Sequence, residues 1–251
     1  MKRIPFRVCI MPCVACVLAG VFPNVSASDA PPEAASSRPL LAQQELDALL
    51  ARIERDLGGL KSLQTNFTQE KHLAIFAAPV KAQGILLFQR PKDIRFEIRA
   101  PFRSVLIAHD QAVAKYEFMD GKWLKLAPPM SDSILVVTGQ LASWLQGRLR
   151  EANKVYHIAA TAEPEPTIIL TPIQQKLKEF IAAIDLKMAY APTRVVSLVI
   201  REPNGDYTTV SFSNEERDKP LPASYFDTVP GEPVEVDVAA AAPATESGAG
   251  K

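Results

Sequence analysis

The sequence predicts a mainly β (α+β) fold: an incomplete antiparallel β-barrel of about 10–11 strands with a helical lid over an apolar cavity. Apolar and polar residues alternate in many short runs between residues 62 and 213. Short connections separate these runs, which favours antiparallel neighbours. Two helical segments interrupt them, and a sheet of this size usually curls instead of lying flat. A single half-open barrel therefore fits better than two domains.

The first helical segment covers residues 41–58. Its apolar residues recur at three- and four-residue spacing, with polar residues between them, and Gly58-Gly59 ends it. The mixed charge of the polar face favours a helix that covers a sheet over one that lies on a membrane. The apolar positions are Leu46, Leu49, Leu50, Ile53, Leu57 and Leu60.

The strands follow in two groups. Pro203-Asn204-Gly205-Asp206 is a strong hairpin signal between the last two of them, and a final extended piece is expected at 224–229. The predicted strands are 62–72, 80–90, 93–99, 104–109, 112–118 and 122–126, then 154–160, 167–170, 178–188, 194–201 and 206–213.

The second helical segment, residues 131–147, lies between the two groups of strands. Pro128-Pro129 ends the strands before it, and its apolar residues recur at helical spacing. If this helix closes the open side of the sheet, its apolar residues face the cavity. These lid residues are Ile134, Val137, Leu141, Trp144 and Leu145.

The run from Gln83 to Ile98 is the most informative part of the chain. It reads as two strands joined at a proline, and one phase of both strands is bulky and apolar. Arg90 stands in that phase at the strand end, where it is a latch at the cavity mouth or a satisfied structural arginine. Arg95, Glu97 and Arg99, in the other phase, are expected to face water. The predicted cavity lining is Leu86, Phe88, Ile94, Phe96, Ile98, Tyr116, Phe118, Ile184, Leu198 and Ile200.

The ends of the chain read as segments outside the fold. Residues 1–27 have the three parts of a secretory signal peptide: basic residues, an apolar run over 8–22, and small residues before a cleavage site after Ala27. The apolar run is too short and broken to cross a membrane, and Cys16 leaves lipidation as a minor alternative. We expect a disordered linker at 28–39, one domain at 40–230 and a disordered Ala-rich tail at 231–251.

The composition argues against several classes of function. All three cysteines lie within the first 16 residues, so the mature chain has no disulfide and no thiolate nucleophile. Cleavage leaves 25 basic against 28 acidic residues, a net charge of −3 that argues against nucleic-acid binding. His72, His109 and His157 are scattered, and no nucleophile, zinc, phosphate-loop or dinucleotide motif appears. We expect no enzyme, no cofactor and no metal site.

The order of motifs resembles the LolA family, the periplasmic carriers of outer-membrane lipoproteins. Phe67-Thr68-Gln69 follows the first helix, and Gly84 to Phe96 carries a Gly-x-Leu-x-Phe-x-Arg-Pro pattern. Leu170-Thr171-Pro172 then precedes Lys178-Glu179-Phe180-Ile181, and Tyr225-Phe226 stands near the end. The resemblance covers most of residues 41–230.

The resemblance implies a half-barrel whose cavity takes lipoprotein acyl chains in the periplasm without enzymatic chemistry. It implies a monomer that receives cargo from a LolCDE-like inner-membrane ABC transporter and delivers it to a LolB-like outer-membrane receptor. It also implies that Arg90 bonds to the lid at 131–147 and governs its opening.

Three alternatives stay open at this stage. The apolar phase on its own fits a closed, packed core without a ligand. The cargo is a lipoprotein or another amphiphile, such as a glycolipid, a polyene or another acylated envelope component. An RseB-like envelope lipid sensor is the third reading, although such sensors carry a second domain and only a short tail follows residue 230 here.

Overall fold

The computed structural model describes residues 39–109, 112–126, 133–162 and 164–227. The predicted signal peptide, all but the last residue of the predicted linker and the predicted Ala-rich tail lie outside these residues. The described elements follow the predicted order closely.

The described residues form three α-helices and eleven strands. Two short 3₁₀ helices, Leu149–Lys154 and Ala223–Phe226, complete the described elements. The helices are α1 Gln43–Leu57, α2 Ser133–Leu145 and α3 Gln175–Lys178. The strands are β1 Ser62–His72, β2 Val80–Gln89, β3 Asp93–Ala100, β4 Ser104–His109, β5 Ala112–Met119, β6 Lys122–Leu126, β7 Tyr156–Ala160, β8 Thr167–Pro172, β9 Ala183–Ala189, β10 Arg194–Arg201 and β11 Tyr207–Arg217.

All eleven strands form one antiparallel sheet in the order β6-β5-β4-β3-β2-β1-β11-β10-β9-β8-β7. β1 pairs with β11, which joins the two groups of strands, and every other pair is sequential. β6 and β7 are the edges of the described sheet, so it does not close into a barrel. The predicted open, antiparallel β architecture is confirmed.

The inner face of this sheet carries the main core. Phe67 stacks on Phe96 with ring centroids 4.1 Å apart, and Leu86 and Ile200 are fully buried nearby. α1 packs against the same core through the apolar positions that its periodicity predicts, and its first turn is held by the Glu45 carboxylate, which accepts from the Ala42 N–H at 3.0 Å.

The outer face of β2 and β3 is covered, which corrects the prediction that Arg95 and Glu97 face water. Both side chains are almost fully buried, and Arg95 Nε donates to Glu97 Oε2 at 2.8 Å. A guanidinium N–H of Arg95 also donates to the Tyr225 carbonyl at 3.1 Å. Alternation shows which residues share a face of a strand, but it does not show whether that face is covered. Here the 3₁₀ helix Ala223–Phe226 covers the outer face, and Phe226 packs against Ile85 and Leu87.

Two smaller predictions about the elements were wrong. The piece expected to be extended at 224–229 forms the 3₁₀ helix Ala223–Phe226 as far as it is described. The strand expected from residue 178 begins at Ala183, because α3 and the turn after it occupy residues 175–182. Among the described helices, none is long and apolar enough to cross a membrane.

Gly84 permits the close approach of β2 and β3. A Cβ atom there would stand 1.8 Å from the Glu97 carbonyl oxygen and 2.7 Å from Phe67 Cζ. We expect Gly84→Ala to lower the free energy of unfolding by about 3 kcal/mol, because either the strands or the ring must move.

Gly59→Ala is the matched control, since a Cβ at Gly59 meets nothing within 4 Å. Urea unfolding of both variants and the wild type measures the difference. Equal stability of the two variants would contradict the packing described for Gly84.

Candidate binding site

Eight of the ten predicted lining residues lie on the inner face of the sheet. They come from β2, β3, β9 and β10. Paired residues of neighbouring strands lie on the same face: Leu86 pairs with Phe96, and Ile184 pairs with Ile200. Seven of them belong to the buried core, and Ile98 is half-buried against it. The eight residues are Leu86, Phe88, Ile94, Phe96, Ile98, Ile184, Leu198 and Ile200.

Tyr116 and Phe118 lie on the opposite face, so their prediction as lining residues was wrong. Tyr116 pairs with Val105, and the two side chains form a separate outer cluster with Ile107. Phe118 meets Trp123 edge-on at 5.3 Å between centroids. Residues of β5 do alternate between the two faces, as predicted. The sequence alone does not show which of the two alternating sets of β5 lies on the inner face with Phe96 of β3.

α2 covers the inner face, as the lid prediction requires. Val137, Leu141, Trp144 and Leu145 are all buried in the main core. Ile134 lies within α2, and its side chain is outside the described residues. Trp144 meets Tyr156 edge-on at 6.3 Å, and burial raises the pKa of Tyr156 to about 12. The Tyr156 phenol under the lid is therefore neutral at physiological pH.

A cavity of about 210 Å³ lies between the inner face and α2. Phe96, Ile98 and Leu106 line it together with polar side chains, which include Gln69, Lys71, Lys115 and Thr138 of α2. A second space, near Leu60 and Leu145, has about 10 Å³ and would hold one water molecule. Ligand pockets usually measure about 300–1,000 Å³, so the inner face takes a long chain only after the helices move.

A wider groove of about 580 Å³ lies between α1 and the edge strand β7. Its wall includes Asp47, Arg150 and His157. Charged side chains line both spaces, and the cavity is the one that lies between the inner face and α2.

Arg90 is exposed and bonds to α1, which corrects its predicted position in the cavity mouth and its predicted bond to the helix at 131–147. Its Nε donates to the Leu60 carbonyl at 2.5 Å, and a terminal guanidinium N–H donates to the Gly58 carbonyl. These carbonyls follow the last turn of α1, where helix carbonyls lack partners within the helix. Arg90 therefore fixes the end of α1 to the turn between β2 and β3.

Gln146 fixes α2 to the same turn, and sequence reasoning missed it. Its buried amide donates to the Pro91 carbonyl at 2.9 Å and to the Ala142 carbonyl at 2.7 Å. A glutamine after an apolar helix has no pattern that singles it out. Gly147 follows with φ +75°, and a Cβ there would lie 2.7 Å from the Ile53 carbonyl oxygen. A glycine just past a helix is a common sign in the sequence that the helix ends there. The close contact of Gly147 with α1 cannot be predicted from the sequence.

We call the dipeptide Arg90-Pro91 the junction, because it holds both helices that cover the inner face. The arrangement offers an apolar face that can bind apolar groups without directional contacts. Among the described residues, no group of three histidine, cysteine or carboxylate side chains could hold a metal ion.

Comparison with known proteins gives one family. The family model described as outer membrane lipoprotein carrier protein LolA matches residues 58–229. No curated protein sequence matches the chain.

Several solved structures are similar. A LolA superfamily protein from Nitrosomonas europaea is 12% identical, over 72% of this chain and 96% of that one, with a TM-score of 0.40. An uncharacterized conserved protein from Thermus thermophilus is 12% identical, over 75% and 96%, with a TM-score of 0.44. The lipoprotein LppX from Mycobacterium tuberculosis is 13% identical, over 70% and 98%, with a TM-score of 0.36.

Proposed function

This chain belongs to the LolA family of outer membrane lipoprotein carrier proteins, and we propose that it carries acylated lipoproteins between the two membranes of the envelope. The carrier shields acyl chains on the inner face of its sheet, under α1 and α2. It performs no chemical reaction on them.

The observation that carries this proposal is the covered apolar inner face, whose two covering helices both bond to the junction. The inner face is apolar, the sheet is open, and the helices that cover it are fixed to one turn by the bonds of Arg90 and Gln146. A carrier needs a face that its covering elements can uncover, and two helices that bond to one turn can move together.

The energetics of acyl chains explain why such a carrier is needed. Burial of one methylene is worth about 0.8 kcal/mol, so a 16-carbon chain resists transfer into water by roughly 10 kcal/mol or more. The closed cavity of about 210 Å³ is small for such a chain. Cargo therefore favours the open form and the empty protein favours the closed form, which gives a two-state carrier that cargo shifts.

The further parts of the proposal follow from the family. The protein works as a monomer in the periplasm after cleavage behind Ala27. It receives cargo from a LolCDE-like ABC transporter and passes it to a LolB-like receptor that binds the cargo more tightly. Transfer then needs no nucleotide at this protein.

Arg90→Leu tests the junction. Removing its bonds to the carbonyls of Gly58 and Leu60 removes a contribution that favours the closed form, so we expect acyl cargo to leave about tenfold more slowly while the fold is kept. The readout is the rate at which a fluorescent triacylated lipopeptide passes from the protein to an excess of acceptor vesicles.

Lys92→Leu is the matched control, because Lys92 is an exposed cation in the same turn. It should release the lipopeptide at the wild-type rate. If Arg90→Leu also releases it at that rate, Arg90 does not regulate opening.

Phe96→Asp tests which face binds cargo. Phe96 lies in the wall of the cavity, and a carboxylate there should abolish lipopeptide uptake. Phe118→Asp, on the outer face, should leave uptake unchanged. Ile98→Ser is the milder variant: it lies half-buried in the same wall and should weaken uptake about tenfold even if Phe96→Asp folds poorly.

Uptake is measured by fluorescence titration, with circular dichroism as the check on folding. Equal loss of uptake in Phe96→Asp and Phe118→Asp, with both variants folded, would place the cargo elsewhere than on the inner face.

A further inference from the structure

The loop between β1 and β2 has an unusual composition. Residues 73–80, Leu-Ala-Ile-Phe-Ala-Ala-Pro-Val, contain no polar side chain, and we call them the apolar loop. Ile75 is 83% exposed, Phe76 54% and Val80 49%. Hairpin loops normally carry polar and turn-forming residues, and single exposed apolar residues are common whereas contiguous runs of them mark interaction sites.

The apolar loop projects from the sheet. Ala100, the last residue of β3, pairs with Gln83 of β2, whereas β2 begins three residues earlier at Val80. The β1–β2 hairpin therefore extends about 10 Å past the end of β3. Phe102, in the loop from β3 to β4 at the same end of the sheet, is 83% exposed. The described chain thus presents two separate apolar projections at this end.

The backbone of the apolar loop is held by the protein itself. The Ala74 N–H donates to the Asp206 carboxylate at 2.8 Å, and the Phe76 N–H donates to the Leu73 carbonyl at 2.9 Å. Entry into hydrocarbon leaves unsatisfied backbone groups at a high cost, and these two donors already have partners.

The charges beside the apolar loop are mixed, with cations on both flanks. Lys71 precedes it and lies 3.5 Å from Glu202, and Lys81 follows it, 2.8 Å from Glu70 and largely exposed. Arg103 follows Phe102 directly, but its guanidinium lies over the Phe118 and Trp123 rings, so the flanking cations that can reach headgroups are the two lysines. Cations next to an apolar tip are typical of segments that enter a lipid surface, where lysine and arginine meet the headgroups.

We propose that the apolar loop, together with Phe102, inserts into the surface of a phospholipid bilayer. Ile75 and Phe76 enter the boundary between headgroups and acyl chains, and the flanking lysines stay at headgroup level. A bilayer fits better than a protein groove, because the loop offers no polar side chain for directional recognition and both projections lie at one end. The cavity wall at Ile98 and Leu106 approaches the same end, so docking would bring the cargo face close to lipid.

The test is flotation with vesicles of phosphatidylcholine containing about a third phosphatidylglycerol. The protein is purified from the periplasm without added cargo, and mass spectrometry establishes that every variant has the same N-terminus. We expect the wild type to float with the vesicles and the Ile75→Ser/Phe76→Ser double variant to bind at least about tenfold more weakly. Pure phosphatidylcholine should weaken binding by a smaller factor.

Val113→Ser is the matched control. Val113 is 47% exposed, but it lies near the start of β5, at the end of the sheet opposite to Phe102 and the apolar loop. The Val113→Ser variant should float like the wild type. Phe76→Trp gives a second readout: its added fluorescence should be quenched by brominated lipid. Equal flotation of the wild type and the double variant would overturn the proposal. So would absence of flotation by the wild type, and a defect of the double variant only in delivery to a receptor would assign the apolar loop to a protein partner.

The vesicles contain no lipoprotein, so the result does not depend on the proposed cargo. Failure to float leaves carriage untouched, and failure to bind lipopeptide leaves insertion of the apolar loop untouched.

Discussion

The cover over the apolar inner face is the constraint on which the rest of this structure depends. An eleven-stranded sheet that stays open leaves one apolar face without a second sheet to bury it. α1 and α2 supply that cover, and the junction at Arg90-Pro91 holds both of them through the guanidinium and through Gln146. Burial supplies most of the stability of this cover, while polar bonds fix where the helices lie.

The division of labour between the two faces of the sheet follows from this constraint. In the proposed carrier, the apolar contacts of the inner face are exchanged for contacts with acyl chains at little cost, because neither kind of contact is directional. The outer face of β2 and β3 is fixed differently: Arg95 and Glu97 are buried as a pair and joined to the backbone of Tyr225. Breaking such a pair leaves a buried charge, so this face is suited to remain closed while the inner face opens.

The sequence predicted the order of the elements along the chain, the two covering helices and most of the inner face, because periodicity reports directly on burial of one side. It did not predict the pairing of β1 with β11, which joins the two groups of strands. Predictions from the sequence were wrong where an element distant in the chain decides whether a side chain is buried. Arg95 and Glu97 alternate as exposed residues do, and the C-terminal 3₁₀ helix covers them. Tyr116 follows the alternation of β5, but its pairing with Val105 of β4 places it on the outer face. Arg90 was singled out, whereas its partners at the end of α1 are backbone atoms that no residue type announces.

The most direct test of the account is native mass spectrometry of the protein purified from the periplasm, followed by lipid extraction. Lipoprotein carriage on the inner face predicts that a fraction of the protein holds an acylated polypeptide, which is lost in folded Phe96→Asp and kept in Phe118→Asp. A glycolipid or pigment in its place would contradict the cargo while keeping the carrier. A protein that is empty as purified, and stays empty when offered lipopeptide, would show that the inner face is a packed core and nothing more.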